Sequence, residues 1–264
     1  MKETEEIHGK VVVITGAAGG IGSATVKLFD KAGSSTIMVD YIDPPSSTTG
    51  MKLYALYQEL KNPPDIGWFN CDVRKHMKVQ LIVERIVKRY GKIDVLVNAA
   101  GVMWSHGVLV NTPIDAFGKL REMMDINFWG TVYWCHAVLP FMRDAGFGRI
   151  VNVSSIVANS ADVGNWAYGA SKAAISHITK TFAHEAPFHK NGPLDITVNA
   201  VAPGITNTDM TKGLTEKYWA RYITRVPSQR KAAPEEIADA IYFLANNAYM
   251  NGEILHIDGG YSAM

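Results

Sequence analysis

The sequence predicts an α/β fold in which a doubly wound parallel sheet of about seven strands carries helices on both faces. Seven short apolar runs, rich in β-branched residues, alternate with longer amphipathic stretches along the 264 residues. Continuous rather than alternating apolarity is typical of strands that are buried on both faces. Because no internal repeat and no Pro/Ser-rich linker divides the chain, we expect one domain over residues 1–264.

Each element follows from its residues. The predicted strands are 11–15, 36–40, 66–71, 93–98, 149–154, 196–201 and 253–258. The predicted helices are 22–31, 73–90, 114–143, 167–186 and 234–245, and the irregular stretch 43–50 (DPPSSTTG) is predicted to be a surface loop. Open parallel sheets bind ligands beyond the carboxyl ends of their strands, so the residues that follow each strand are the candidates for a site.

Composition narrows the function classes. Lys+Arg and Asp+Glu number 26 and 25, so no basic field favours nucleic acid or an anionic membrane as a partner. No apolar run approaches the roughly 20 residues of a membrane span. The two cysteines, Cys71 and Cys135, show no metal-binding spacing, and we expect no metal and no disulfide. These features predict a cytoplasmic protein without nucleic-acid or membrane partners.

A glycine-rich turn, TGAAGGIG, follows the first predicted strand and leads directly into a helix. Glycine permits a tight turn and close approach of the backbone to a phosphate, and the helix N-terminus adds free N–H groups. We expect the turn to bind a nucleotide pyrophosphate, the alternative being a purely structural turn. The candidate residues are Gly16, Ala18, Gly19, Gly20, Ile21 and Gly22.

Asp40 ends the second predicted strand, 18 residues beyond Gly22. A carboxylate there can accept hydrogen bonds from the 2′- and 3′-hydroxyls of a ribose, and it would repel a 2′-phosphate. Tyr41 follows, and no basic residue adjoins it in the sequence. We therefore expect NAD rather than NADP, with Asp40 as an ordinary loop-opening residue as the alternative.

Two further strand ends carry candidate cofactor contacts. Asp72, followed by Val73, is placed either to accept from an adenine amine or to cap the next helix. The run Asn98, Ala99, Ala100 and Gly101 permits close contact between backbone and cofactor, although small residues also fill tight turns.

Tyr168 and Lys172 lie four residues apart in YGASK, on one face of a predicted helix. A nearby cation favours the phenolate, so we expect Lys172 to lower the pKa of Tyr168 towards the value that a general base for an alcohol needs. Ser155 ends a predicted strand and can polarise a carbonyl oxygen. Asn127 interrupts a long helical stretch, which is unusual for an amide side chain without a specific contact.

In order and spacing, TGAAGGIG, Asp40, NAAG, Asn127, Ser155, YGASK and Pro203-Gly204 resemble the short-chain dehydrogenase/reductase family over nearly the whole chain. The resemblance implies a Rossmann-type fold, Tyr168 as acid/base and Ser155 as hydrogen-bond donor to the substrate oxygen. It implies that Lys172 holds the nicotinamide ribose and supports Tyr168, while Asn127 holds a water of a proton relay. Further implied cofactor contacts are Pro203, Gly204, Ile205, Thr206 and Thr208. Ala99 departs from the NNAG of many members.

Aromatic and apolar residues near the predicted site indicate where the substrate pocket lies. Trp104 follows the fourth predicted strand, and Trp166 precedes Tyr168. Met210, Leu214, Tyr218, Trp219 and Tyr222 keep roughly helical spacing in a segment that, in the resembled family, looks like a flap over the substrate. We expect Trp104, Trp166, Met210 and Trp219 to line the pocket together with Ser155 and Tyr168. The alternative is a stripe that packs on the core or on another subunit.

These observations predict an NAD-dependent oxidoreductase that interconverts a secondary alcohol and a ketone of small-molecule size. Two alternatives stay open: a reductase of carrier-bound 3-oxoacyl groups that uses NADPH, and a non-catalytic nucleotide-binding sensor. Family resemblance also implies a homotetramer or homodimer.

Overall fold

Seven parallel strands form one sheet in the computed structural model, which describes residues 7–43, 48–105, 107–213 and 215–263. The strands are β1 (Val11–Thr15), β2 (Ser35–Asp40), β3 (Trp68–Asn70), β4 (Val95–Asn98), β5 (Phe147–Val153), β6 (Asp195–Pro203) and β7 (Ile254–Ile257). Their order across the sheet is β3-β2-β1-β4-β5-β6-β7. The predicted doubly wound sheet is therefore confirmed.

The strand register aligns the carboxyl ends at one edge. Thr15 lies opposite Val39 on one side and Asn98 on the other, and Asn98 lies opposite Asn152 of β5. The chain crosses from one side of β1 to the other between β3 and β4, which creates a crevice beyond β1 and β4. Ligands of open α/β sheets bind at such a switch point.

The helices cover both faces of the sheet. They are α1 (Gly20–Lys31), α2 (Thr48–Glu59), α3 (His76–Tyr90), α4 (Ala116–Met124), α5 (Gly130–Ala145), α6 (Trp166–Glu185), α7 (Glu216–Ile223) and α8 (Pro234–Asn246). Alternate residues of β1 enter different cores, because Cβ atoms alternate along a strand. Val13 packs in the core that contains Trp134 of α5, and Val12 packs in the core that contains Phe29 of α1.

The structure corrects two predicted elements. The predicted loop 43–50 is wrong at its end, because α2 begins at Thr48; residues 44–47 lie outside the described residues. This helix buries only Leu53 and Leu56, too few apolar residues for a recognisable helical period. The predicted helix 114–143 is α4 and α5, joined by a π-helical turn at Asp125–Trp129. Within the described residues, no helix is long and apolar enough to cross a membrane.

Candidate active site

The glycine-rich turn packs against the end of β4. Gly16 has φ +67°, and a Cβ there would lie 2.7 Å from the main-chain nitrogen of Ala100. A Cβ on Gly20 would lie 2.5 Å from the side chain of Thr208, and one on Gly22 would collide with the carbonyl oxygen of Gly16. The turn therefore requires glycine, and no side chain caps the N-terminus of α1. This geometry fits a pyrophosphate bound to main-chain N–H groups.

A groove of about 520 Å³ lies beyond the strand ends, and we call it the strand-end groove. The predicted residues that line it are Gly16, Ala18, Gly19, Gly20, Ile21, Gly22, Asp40, Tyr41, Asp72, Val73, Ala99, Ala100, Gly101, Trp104, Thr208 and Met210. The structure thus brings together residues from five separate segments, as the prediction of a nucleotide site requires.

The side chain of Asn98 does not face the strand-end groove. Its side chain is buried and donates hydrogen bonds to Oδ1 of Asn152 (2.9 Å) and Sγ of Cys135 (3.4 Å). It therefore points beneath the sheet edge and does not line the strand-end groove. Its position at the end of β4 predicted a place in the groove. Successive side chains of a strand point to opposite faces of the sheet, however, so the last side chain of a strand need not face the ligand.

Asp40 is held by the backbone at the groove. Its Oδ2 accepts from the main-chain nitrogen of Ala18 (2.8 Å), and its Oδ1 accepts from that of Tyr41 (2.7 Å). Burial raises the pKa of the carboxyl, and these hydrogen bonds oppose that rise. Lys52 of α2 lines the same groove, so a basic residue stands near Asp40 in space, although none adjoins it in the sequence.

Asp72 is engaged by Arg74, which sequence reasoning did not single out. The Nη2 of Arg74 donates to Oδ2 of Asp72 at 2.7 Å, and its Nη1 donates to Oε1 of Glu122 at 2.5 Å. Burial raises the pKa of Asp72, but the hydrogen bonds from Arg74 outweigh it, and the net pKa is lowered. Asp72 does not cap α3, which begins at His76, because its Oδ1 instead accepts from the main-chain nitrogen of Arg74.

Tyr168, Lys172 and Ser155 converge where β5 ends against α6. Nζ of Lys172 lies 5.8 Å from the centre of the Tyr168 ring and donates to the carbonyl of Val153 at 2.7 Å. Ser155 lies near the Tyr168 hydroxyl and favours its phenolate form, which opposes the effect of burial on the Tyr168 pKa. Burial lowers the pKa of Lys172 to about 8.

The expected pKa of Tyr168 was wrong in direction. Burial raises the pKa of Tyr168 to about 12, although the nearby Ser155 opposes the rise. Burial penalises the charged form of both the phenol and the amine, and for Tyr168 this desolvation is the largest cause, with no offsetting contribution from Lys172. Proton loss from this site consequently begins with Lys172.

Asn127 lies at the centre of the π-helical turn and is fully buried. Its Oδ1 accepts from the main-chain nitrogen of Val102 (2.9 Å), while its Nδ2 donates to the carbonyl of Val102 and to Oγ of Ser171 (both 3.0 Å). A Cβ added to Gly101 would lie 3.2 Å from Oδ1 of Asn127 and 3.5 Å from Nζ of Lys172. The amide therefore joins the end of β4 to α6 beside the lysine.

A second cavity, of about 220 Å³, contains Tyr168 and adjoins the strand-end groove; we call it the Tyr168 cavity. The predicted residues in its lining are Ile21, Ala99, Gly101, Ser155, Tyr168, Lys172, Pro203, Gly204, Ile205, Thr206, Thr208 and Met210. Its wall also contains Asp162, Tyr218, Tyr222, Arg225 and Tyr261. Tyr218, Tyr222 and Arg225 continue one helical spacing, whereas Tyr261 had no signal in the sequence.

Three predicted pocket residues do not line the Tyr168 cavity, and one of them, Trp104, lines the strand-end groove instead. Trp166 contacts the ring of Phe117, and Trp219 contacts Tyr222 and the Nζ of Lys231, which lies 3.8 Å from its ring. Neither lines the Tyr168 cavity. Helical spacing places Trp219 beside Tyr218 but on another face of α7, because neighbours in sequence do not share a helix face. Leu214 lies outside the described residues.

Known proteins resemble the chain over almost its full length. Residues 16–262 match the family described as enoyl-(acyl carrier protein) reductase. A 3-oxoacyl-[acyl-carrier-protein] reductase of Thermotoga maritima is 36% identical, over 96% of this chain and 98% of the relative. A cis-4-hydroxycyclohexanecarboxylate dehydrogenase of Sinomonas cyclohexanicum is 34% identical, over 98% and 99%. The ligand-free aldohexose dehydrogenase of Thermoplasma acidophilum superposes with a TM-score of 0.80 at 29% identity, over 98% and 96%.

Proposed function

The chain belongs to the short-chain dehydrogenase/reductase family of oxidoreductases, and we propose that it interconverts a secondary alcohol and a ketone with NAD as cofactor. The observation that carries the proposal is the convergence of Tyr168, Ser155 and Lys172 on one cavity that adjoins the strand-end groove. The glycine turn and the small residues after β4 fit the cofactor, because side chains there would collide with backbone. NAD supplies the hydride acceptor when it is bound.

The proposed proton path uses the chain's own groups. In the oxidising direction Tyr168 takes the proton of the substrate hydroxyl while its own proton passes to the neutral amine of Lys172, and in reduction both transfers are reversed, so that the carbonyl oxygen receives a proton. Ser155 donates a hydrogen bond to the same oxygen. Lys172 holds the ribose hydroxyls of the cofactor and exchanges a proton with Tyr168. Asn127 holds Val102, in the segment after Gly101, through two hydrogen bonds, and we assign it the binding of the water of a proton relay.

The preference for NAD rests on Asp40. Each carboxylate oxygen accepts one backbone hydrogen bond and retains capacity for a ribose hydroxyl. A 2′-phosphate would bring like charges together. Lys52 in the same groove is already paired with Asp209 at 2.5 Å, so it offsets this repulsion only in part.

A second candidate function is reduction of carrier-bound 3-oxoacyl groups with NADPH, which the Thermotoga maritima relative favours. The Sinomonas cyclohexanicum relative instead favours a small cyclic hydroxy acid. A non-catalytic sensor is the least supported, because Asn127, Ser155, Tyr168 and Lys172 are all retained. Assembly into a homotetramer or homodimer stays a prediction.

The test follows the absorbance of the reduced nicotinamide with a panel of secondary alcohols and ketones, using NAD(H) and NADP(H). Wild type is compared with Tyr168→Phe and with Tyr249→Phe, a control at a tyrosine that is 99% exposed. We expect NAD-linked turnover that Tyr168→Phe lowers by about 10²- to 10⁴-fold and that Tyr249→Phe leaves unchanged. Turnover with NADPH and a 3-oxoacyl thioester alone would establish the second function. NADH binding without any turnover would support the sensor.

A further inference from the structure

Three charged side chains line the Tyr168 cavity, and two of them already have polar partners. Lys172 donates to the carbonyl of Val153. Asp162 accepts at Oδ2 from the hydroxyl of Tyr218 (2.9 Å) and from Nδ2 of Asn165 (2.7 Å). The third is Arg225, which is exposed at the edge of the cavity. Among the described residues no carboxylate lies within ion-pair distance of its guanidinium.

An aromatic stack positions this arginine. The main-chain nitrogen of Ile205 donates to the hydroxyl of Tyr222 at 3.2 Å. The Tyr222 ring stacks on Tyr261, with centres 5.2 Å apart and planes 13° apart, and the guanidinium carbon of Arg225 lies 4.8 Å from the centre of the Tyr261 ring. A guanidinium that stacks on a ring keeps its N–H groups free at the edge of its plane. The contacts that run from Ile205 through Tyr222 and Tyr261 therefore end at Arg225, whose guanidinium N–H groups are available to a ligand.

We propose that Arg225 binds a carboxylate of the substrate, so that the substrate is a hydroxy acid or the corresponding keto acid. This inference rests on the proposed function, since Ser155 and Tyr168 are taken to bind the carbinol oxygen in the same cavity. A planar, singly charged carboxylate matches the donor pair of one guanidinium. A phosphate presents three acceptor oxygens and more charge, whereas the neighbours of Arg225 in the stack, Tyr222 and Tyr261, supply no second cation.

The acidic group of the cavity does not oppose this assignment. Tyr218 and Asn165 both donate to Oδ2 of Asp162, so its charge is already engaged by two donors. The donors to Asp162 are Tyr218 and Asn165, whereas Arg225 is held by its contact with the Tyr261 ring. A bound carboxylate would thus pair with the cation that has no acidic partner.

The first experiment measures binding by calorimetry to the full chain with NAD present. The probes are hexanoate and cyclohexanecarboxylate, each paired with its uncharged amide. We expect wild type to bind at least one acid about tenfold more tightly than its amide, and Arg225→Gln to lose that preference while its amide binding is retained. Arg121→Gln, at an exposed arginine of α4 outside the cavity, is the matched control and should behave as wild type.

Equal binding of acids and amides by wild type, or a preference that survives in Arg225→Gln, would overturn the inference. The same variants are then assayed with 4-hydroxycyclohexanecarboxylate and its methyl ester, where kcat/KM for the acid alone should fall about tenfold in Arg225→Gln. Acid binding that depends on Arg225 without alcohol turnover would refute the proposed reaction and retain the carboxylate site. Turnover of neutral alcohols without a preference for acids would support the proposed reaction and refute the carboxylate site.

Discussion

Lys172 donates a hydrogen bond of 2.7 Å to the main-chain carbonyl of Val153, the last residue of β5. This contact joins α6 to the carboxyl edge of the sheet and places the buried amine beside the Tyr168 ring. Because burial lowers the pKa of Lys172 to about 8 and raises that of Tyr168 to about 12, Lys172 gives up its proton first.

The pH dependence of activity follows from this pair. Alcohol oxidation requires the pair to accept a proton, so kcat/KM for oxidation should rise with pH and level off above an apparent pKa of about 8. Ketone reduction requires the pair to supply a proton, so its kcat/KM should fall through the same region. Steady-state rates between pH 6 and 10 in both directions check this, and profiles that are flat over the range would contradict it.

Removal of the charge of Asp40 should change cofactor choice. Asp40→Asn keeps the size of the side chain but removes its negative charge. The variant side chain no longer repels a 2′-phosphate, and it has one carboxylate acceptor fewer for the ribose hydroxyls. We expect the ratio of kcat/KM for NADP to that for NAD to rise about tenfold or more, an effect of about 1.4 kcal/mol. Initial rates with both cofactors measure it. An unchanged ratio would show that Asp40 does not contact the ribose.

The glycine turn offers a matched pair of substitutions. Gly16 and Gly67 have nearly equal positive φ, +67° and +65°, but only a side chain on Gly16 would meet backbone, while Gly67 has nothing within 4 Å. Both alanine variants should lose about 1 kcal/mol of unfolding free energy from the φ strain. Gly16→Ala should lose a further 1–3 kcal/mol, roughly, and most NADH affinity. Thermal melts and fluorescence titration compare them; equal losses would refute the close approach to Ala100.

Tyr222 lines the Tyr168 cavity, whereas Trp219, which contacts it, does not. Tyr222→Ala removes the stack on Tyr261 and the hydrogen-bond partner of Ile205, so we expect KM for the substrate to rise about tenfold. Trp219→Ala removes contacts that lie outside the cavity, so its KM should stay within about twofold of wild type. Steady-state kinetics with one substrate compare the KM values of the two variants. A larger rise in KM for Trp219→Ala than for Tyr222→Ala would show that Trp219 contacts the substrate.

Most of the fold was predictable because each strand is a local run of buried residues. All seven predicted strands match the sheet within a few residues at each end. The helix α2 was missed because it buries only Leu53 and Leu56, so its pattern carries little period. The π-helical turn was signalled only by Asn127, an amide inside a helical pattern, and its geometry depends on contacts with Val102 and Ser171.

The sequence by itself determined the fold class, the glycine turn, Asp40 and the Tyr168 to Lys172 pair, because these depend on residue type and on spacing within single elements. Tertiary structure alone decided which side chains share a cavity. It turned Asn98 inward, left Trp219 outside and brought Tyr261 and Arg225 to the wall. It also reversed the expected pKa shift of Tyr168, because desolvation depends on every segment that covers a group and not on its neighbours in the chain.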